Sequence, residues 1–175
     1  MVFPPPPDRV ILRAVDMAFA VRYRNADSAC KAQGVRTRQR GPASLEVSGD
    51  IARRDLVDAS LRAWLKGQAG RLLPPLLAHE AGRFGLGYSS AAVRLQRTRW
   101  GSCSVKGTIS LNAKLLFLPP ELARYVLVHE LAHTRHHNHS AAYWDFLASL
   151  LPDTPALNRA LKDAGPLVPV WANAT

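Results

Sequence analysis

Cysteine and methionine are scarce in this chain, with two residues of each among 175. Cys30 and Cys103 are too few for the disulfide framework of a small secreted protein, so we expect a reduced, cytoplasmic protein. No apolar run approaches the roughly 20 residues that cross a bilayer, which excludes a membrane-spanning helix. The first residues lack a basic segment followed by an apolar one, so we predict no secretory signal.

Acidic residues are also scarce, since 13 of them stand against 23 lysines and arginines, and the formal net charge is +10. Twenty of the basic residues but nine of the acidic ones lie in the first 125 positions. Such an excess favours an anionic partner, nucleic acid among others. The arginines are scattered, however, with the densest group at Arg36, Arg38 and Arg40, and no nucleic-acid-binding motif accompanies them. Charge alone therefore leaves a nucleic-acid partner open.

Hydrophobic residues make up 47% of the chain, which excludes a disordered protein and suits one compact domain. Periodicity and turn residues predict both strands and helices. The predicted strands cover about 15–23, 45–48, 93–95, 99–104 and 108–111, and the predicted helices cover about 51–71, 74–84, 120–134, 140–150 and 155–163. Pro74 and Pro75 are expected to separate the first two helices, because proline removes a helical hydrogen bond.

Residues 129–133 read H-E-L-A-H and lie inside the predicted helix over 120–134. Residues four apart share one face of a helix, so the imidazoles of His129 and His133 can reach the same metal ion. Glu130 follows the first histidine directly, where its carboxylate can take a proton from a metal-bound water. This pattern predicts a hydrolytic metal site rather than a purely structural one, since structural zinc does not need the glutamate.

Three more histidines follow the motif: His136, His137 and His139. A catalytic zinc takes three protein ligands and keeps one position open. His136 would crowd the pair on a continuing helix, whereas six residues separate His139 from His133 and allow the chain to turn back. We therefore predict that His129, His133 and His139 bind one zinc ion, and that His136 and His137 are turn or surface residues. Three histidines also admit cobalt, nickel or copper.

The spacing to His139 equals that of the metzincins, but the rest of the metzincin pattern is missing. Their motif has glycine at the position of His136, and they carry a methionine turn downstream. The methionines of this chain are Met1 and Met17, both far upstream. The chain is therefore not a metzincin.

Several blocks of sequence, in a fixed order, resemble the YgjP-like metallopeptidase-domain family. The blocks are 99–103 (R-W-G-S-C), 107–112 (G-T-I-S-L-N), Pro119, 125–133 (Y-V-L-V-H-E-L-A-H), 138–140 (N-H-S) and Trp144. The similarity is close over about 90–150 and looser back to about 50. SprT-like and WLM-type proteins are more distant relatives.

This resemblance implies a zincin-like α+β fold, in which a small, mostly antiparallel sheet packs on the metal-bearing helix and further helices surround it. It also implies zinc ligation by His129, His133 and His139, with Glu130 as the catalytic acid and base. Residues 50–175 would form the catalytic domain. Residues 1–49 would form a short basic N-terminal segment, partly strand or loop, that aligns poorly with the family.

Three functions remain open from the sequence. The first is a zinc metallopeptidase acting on peptides or unfolded protein. The second is a metal-dependent hydrolase of phosphoanhydrides such as nucleotides, which the arginines near the motif would suit. The third is a DNA-associated protease, by analogy with the distant relatives. The oligomeric state is not determined by the sequence.

Other residues near the motif are weaker candidates for roles in the site. Arg97, Arg99, Asn112 and Tyr143 are candidate donors to the charge that develops on the substrate. Asp145 and Glu121 are candidates for orienting the ligand histidines. Residues 108–111 are the candidate edge strand that binds an extended peptide, Trp100 and Trp144 are expected to pack around the site, and Ser102 and Cys103 are not expected to act as nucleophiles.

Overall fold

A computed structural model describes residues 5–25 and 34–173 of the chain. Cys30, for which the sequence predicts a reduced thiol, lies outside the described residues, and the thiol of Cys103 is free. The strands are β1 (Arg9–Leu12), β2 (Met17–Asn25), β3 (Arg36–Gly41), β4 (Ser44–Gly49), β5 (Ser90–Arg94), β6 (Gly101–Cys103) and β7 (Thr108–Asn112). The α-helices are α1 (Arg54–Phe84), α2 (Pro120–Ala132), α3 (Ala141–Leu150) and α4 (Thr154–Lys162).

The first four strands form one sheet in the order β1-β2-β4-β3. Apolar and polar residues alternate along β2 and β4, so Phe19, Val21, Leu45 and Val47 are buried on one face of the sheet. This face packs toward α1, where the rings of Phe19 and Trp64 meet edge to face with centroids 5.2 Å apart. The basic segment at 1–49 is therefore a four-stranded sheet over its described part, and its alternating pattern produces a buried face.

Helix α1 is a single helix of 31 residues that includes Pro74 and Pro75. The prediction of two helices separated by this pair is wrong. Leu73 and Leu77 on either side are fully buried, and the helix remains continuous because this apolar face packs into the core. Gly85 ends the helix in the left-handed conformation with φ of 62°, which glycine adopts without strain. Tertiary burial here overrides the local cost of proline.

A second sheet has three strands in the order β5-β7-β6. Strand β7 pairs in parallel with β5 and antiparallel with β6, so it is the central strand. Three of the five strand pairings in the described parts of the chain are antiparallel. The small sheet, the H-E-x-x-H helix beside it and the additional helices confirm the predicted α+β class.

Helix α2 lies in the centre of the molecule and contacts α1, β6, α3 and α4. Its apolar residues Tyr125 to Val128 are at most 2% exposed. A short 3-10 helix at Ala113–Phe117 continues from β7 and is buried throughout, so it joins the sheet to this core. Among the described residues, no helix combines the length and apolarity needed to cross a bilayer. The boundary between a segment 1–49 and a domain 50–175 stays a prediction.

Candidate metal centre

The H-E-x-x-H helix presents two imidazoles on one face. Helix α2 begins with Pro120, whose fixed backbone suits the first helical turn, and it runs to Ala132. One turn separates His129 from His133, and their ring centroids lie 5.0 Å apart. The apolar side chains that precede His129 are buried, so the helix cannot rotate the pair away without exposing its core face.

The third imidazole arrives from the loop between α2 and α3. The helix ends in a tight turn in which the amides of Arg135 and His136 both donate to the carbonyl of Ala132. Ser140 then caps α3 by accepting a hydrogen bond from the amide of Tyr143. These two fixed ends hold His139 between them. Its Nε2 atom lies 3.2 Å from the Nε2 atom of His133 and 3.2 Å from that of His129.

The spacing of these nitrogens fits a metal ion. The candidate ligand atoms of His129, His133 and His139 all lie within 4.8 Å of one another. Tetrahedral zinc with bonds of about 2.0–2.1 Å places its ligand nitrogens about 3.3–3.4 Å apart. The observed 3.2 Å separations are close to that geometry. The residues present therefore fit a three-histidine site of the catalytic type.

A backbone carbonyl and two aromatic rings orient the histidines. The Nδ1–H group of His133 donates to the carbonyl of His136 at 2.9 Å, so its Nε2 lone pair points at the shared position. Tyr143 stacks on His133 with centroids 4.5 Å apart, and Trp144 stacks on His139 at 5.4 Å. His136 thus contributes a main-chain oxygen to the site, while Trp144 packs around the site as predicted.

Burial keeps the imidazoles of His129 and His133 in the neutral form that binds a metal. Burial first, and then the charges of the neighbouring histidines, lower the pKa of His129 to about 3. The pKa of His133 is also lowered, chiefly by burial. Neutral imidazole has the free lone pair that a metal requires. Both side chains are therefore prepared for ligation at neutral pH.

Glu130 is 5% exposed and lies against strand β6. A Cβ atom added to Gly101 would come 2.6 Å from Oε1 of Glu130 and 2.8 Å from its Cγ. The carboxylate therefore occupies space that only a glycine leaves free. Burial raises the pKa of Glu130 to about 8, and a cation held by the neighbouring imidazoles would act in the opposite direction by favouring the carboxylate.

Two of the candidate donors are already engaged in structural hydrogen bonds. The amide group of Asn112 donates to the carbonyls of Gln96 and Arg99, at 3.0 and 2.7 Å, and fixes the loop before β6. Tyr143 is fully buried, and its hydroxyl donates to the carbonyl of His129 at 3.2 Å. Both side chains therefore have a structural role in the fold around the site.

In the part of the chain that the structure describes, none of the remaining candidates makes a hydrogen bond or ring contact with the three imidazoles. Arg97 and Arg99 are exposed. In the described residues, neither Asp145 nor Glu121 makes a hydrogen bond to a ligand histidine, and the carbonyl of His136 takes the role that was expected of them. The prediction that these two carboxylates orient the ligands is therefore wrong.

The prediction that residues 108–111 form the edge strand beside the site is also wrong. Residues 108–111 belong to β7, which pairs on both sides, so its backbone is not available to a peptide. Strand β6 is the edge strand beside the site, since Gly101 touches Glu130. Cys103 on β6 is half-buried, and burial together with the charge of Glu130 raises the pKa of its thiol. That shift disfavours the thiolate, in line with the expectation that Cys103 is not a nucleophile.

Gly101 and the carbonyl of His136 are site features that sequence reasoning missed. The block 99–103 carried a signal for Gly101, because glycine inside a strand often marks the close approach of another group. No sequence signal identifies the carbonyl, since every residue has one.

The sequence model that describes the YgjP-like metallopeptidase domain matches residues 20–164. The chain belongs to this family. The match of the YgjP-like domain begins within β2, so it reaches further toward the N-terminus than the similarity that starts near residue 50. As a member of a metallopeptidase family with three histidines able to bind a metal ion, the chain is identified as a metallopeptidase-type hydrolase.

Comparisons with individual proteins are more distant. No curated protein matches the chain significantly. The crystal structure of the metallopeptidase zymogen of Pyrococcus abyssi abylysin has a TM-score of 0.48 and 25% identity, over 54% of this chain and 96% of that one. The zymogen of Methanocaldococcus jannaschii jannalysin has a TM-score of 0.45 and 20% identity, over the same shares of both chains.

Proposed function

We propose that this protein is a zinc-dependent peptidase in which His129, His133 and His139 hold one zinc ion and Glu130 is the general base. The observation that carries the proposal is the meeting of three Nε2 atoms, each separated by 3.2 Å from a neighbour, beside a buried carboxylate. A zinc ion bound there would polarise the scissile carbonyl and lower the pKa of a water molecule.

Glu130 would transfer the proton during peptide hydrolysis. Its side chain is 5% exposed and lies against Gly101, which limits the orientations that the carboxylate can adopt. It accepts the proton that the attacking water loses and delivers it to the nitrogen of the leaving amine. Helix α2 fixes the base beside two of the ligands, which keeps the distance between base and water constant.

Strand β6 would bind the substrate as an extended peptide. In the described residues β6 pairs with β7 alone, so its other edge carries unpaired backbone groups next to Glu130. A substrate in extended conformation would add to this edge by main-chain hydrogen bonds, which do not depend on its sequence. This mode suits peptides and unfolded protein better than folded protein.

A second candidate function is hydrolysis of a phosphoanhydride. A cavity of about 250 Å³ beside Trp100 is lined by the cationic residues Arg97, Arg99, Lys114 and Lys162. Lys114 is 4% exposed, and its ammonium donates to the carbonyl of Arg97 and to Oδ1 of Asn173. No carboxylate of the described residues pairs with it. A buried cation without a counter-charge favours an anionic ligand.

A direct comparison of substrates tests both functions. Zinc-loaded protein is incubated with an unfolded protein, with a peptide library and with the four nucleoside triphosphates, and Glu130→Gln serves as the control. We expect cleavage of peptide bonds by the wild type and none by the variant at equal zinc content. Turnover of triphosphates alone would replace the peptidase by the second candidate.

A further inference from the structure

The four-stranded sheet has one apolar face and one strongly cationic face. Its inner face carries the buried side chains that pack toward α1. The opposite face carries exposed arginines from three of its four strands. We name this surface the arginine face, and it consists of Arg9, Arg22, Arg24, Arg36, Arg38 and Arg40.

Strand register brings these arginines onto the same side. In the strand register, Arg22 lies opposite Glu46 on β4, and Glu46 lies opposite Arg38 on β3. In the same way Arg24 and Arg36 both oppose Ser48. Residues directly opposite one another across a sheet share a face. Arg22 and Arg38 therefore lie in one row across the sheet, and Arg24 and Arg36 lie in the next row.

The two outer members of the arginine face follow from contacts and pairing. Arg9 opposes Ala20, whose neighbours Phe19 and Val21 point inward, so Arg9 points outward. Arg40 lies beside a break in the β3–β4 register, and its guanidinium bonds Glu46 at 2.8 Å, which places it on the outer side.

Negative charge on this surface is small. Glu46 pairs with Arg40 at 2.8 Å and with Arg24 at 3.6 Å. Arg22, Arg36 and Arg38 have no ion pair among the described residues. Like charges at this density repel one another, so binding of a polyanion would reduce the electrostatic repulsion among the arginines.

We propose that the arginine face binds the phosphate backbone of nucleic acid without regard to base sequence. The spacing suits this partner. Successive outward residues of a strand, such as Arg36 and Arg38, are about 7 Å apart, which matches two base-pair steps of about 3.4 Å along the axis of a duplex. Arg22 and Arg38 are separated by two strand spacings, about 10 Å.

The chemistry of the face also favours phosphate over other anionic partners. Guanidinium groups bind phosphate through paired hydrogen bonds, and this surface contains arginine and no lysine. It has no aromatic side chain on which bases could stack, so it would contact the phosphate backbone of the nucleic acid and would not recognise the base sequence. Ile11, which is 39% exposed, is its only large exposed apolar residue in the described part, so little of the face could insert into a lipid surface.

Binding is measured by fluorescence anisotropy of labelled 20-base-pair DNA and RNA duplexes over a range of salt concentrations. The full chain is compared with the triple variant R22Q/R36Q/R38Q. A matched control, K66Q/R71Q/R159Q, loses the same charge from exposed positions outside the sheet. Circular dichroism and thermal unfolding check that both variants keep the fold.

We expect the triple variant of the arginine face to reduce the slope of log K against log salt by about 2.7, which is about 0.9 for each of the three phosphates that the variant no longer neutralises. The control should keep the wild-type slope. Equal reductions in both variants would mean that only net charge matters and would overturn the site. Tighter binding to polyglutamate, or to vesicles of phosphatidylserine and phosphatidylcholine, would overturn the nucleic-acid assignment. This binding does not depend on peptidase activity, so the two proposals fail separately.

Discussion

The side chain of Glu130 fills the space beside Gly101 where a Cβ atom would lie, so this position of strand β6 has no room for a side chain. The edge strand and the helix that carries the base are therefore in direct contact. A movement of β6 toward α2 would therefore press on Glu130.

Replacing Gly101 by alanine should displace the base without removing the metal ligands. The added methyl would lie 2.6 Å from Oε1 and 2.8 Å from Cγ of Glu130, and this side chain is too buried to move aside freely. We expect peptidase activity to fall about 100-fold, as for other misplaced catalytic groups, with zinc content unchanged. The control is Gly87→Ala, whose Cβ would meet nothing within 4 Å. Equal activity of G101A and wild type would contradict the contact.

Replacing His139 by alanine should remove the metal while leaving the fold intact. His139 supplies one of three nitrogens and lies in an exposed loop, so its removal creates no cavity in the core. We expect zinc measured by mass spectrometry to fall from one ion per chain to a small fraction after dialysis. His137→Ala, an exposed neighbour outside the ligand group, should keep its zinc. Retention of zinc by H139A together with its loss from H137A would reverse the ligand assignment.

Replacing Tyr143 by phenylalanine tests whether the hydroxyl acts on substrate or on the fold. Its hydroxyl donates to the carbonyl of His129 at 3.2 Å, and the side chain is fully buried. We expect the free energy of unfolding to fall by about 1 kcal/mol, the usual worth of one such hydrogen bond. The value of kcat should change less than threefold. A 100-fold loss of kcat with KM unchanged would instead make Tyr143 a donor to the transition state.

Stability of the metal-free protein should depend on pH through Glu130. Burial raises the pKa of this carboxyl from 4.5 to about 8, so the folded state holds a proton that the unfolded state releases. The favourable contribution is complete below pH 4.5 and is lost as pH rises through 8.

Glu130→Gln removes this dependence. Urea unfolding in the presence of a chelator should find the variant more stable than the wild type at pH 9, by several kcal/mol, since each unit of pKa shift is worth about 1.4 kcal/mol. The difference should shrink toward pH 4. A wild type as stable as E130Q at pH 9 would mean that the carboxylate is solvated or paired in the folded protein.

Local sequence patterns predicted the elements around the site well. The helix predicted over 120–134 is observed at Pro120–Ala132, and the helix predicted to start after Ser140 is observed at Ala141–Leu150 with that serine as its cap. Both depend on interactions between residues three or four apart, which sequence spacing records directly. The same reasoning was wrong at Pro74 and Pro75, because burial of α1 depends on distant residues.

What the sequence determined by itself is the pair of histidines with its glutamate, since a helical repeat of 3.6 residues brings His129 and His133 to one face and places Glu130 next to them. The tertiary structure decided which strand is at the edge, how closely Gly101 approaches Glu130, and that arginines distant in sequence share one face. These features depend on which strands pair and in which register. Pairing brings together residues far apart in the chain, and their spacing along the sequence carries no record of it.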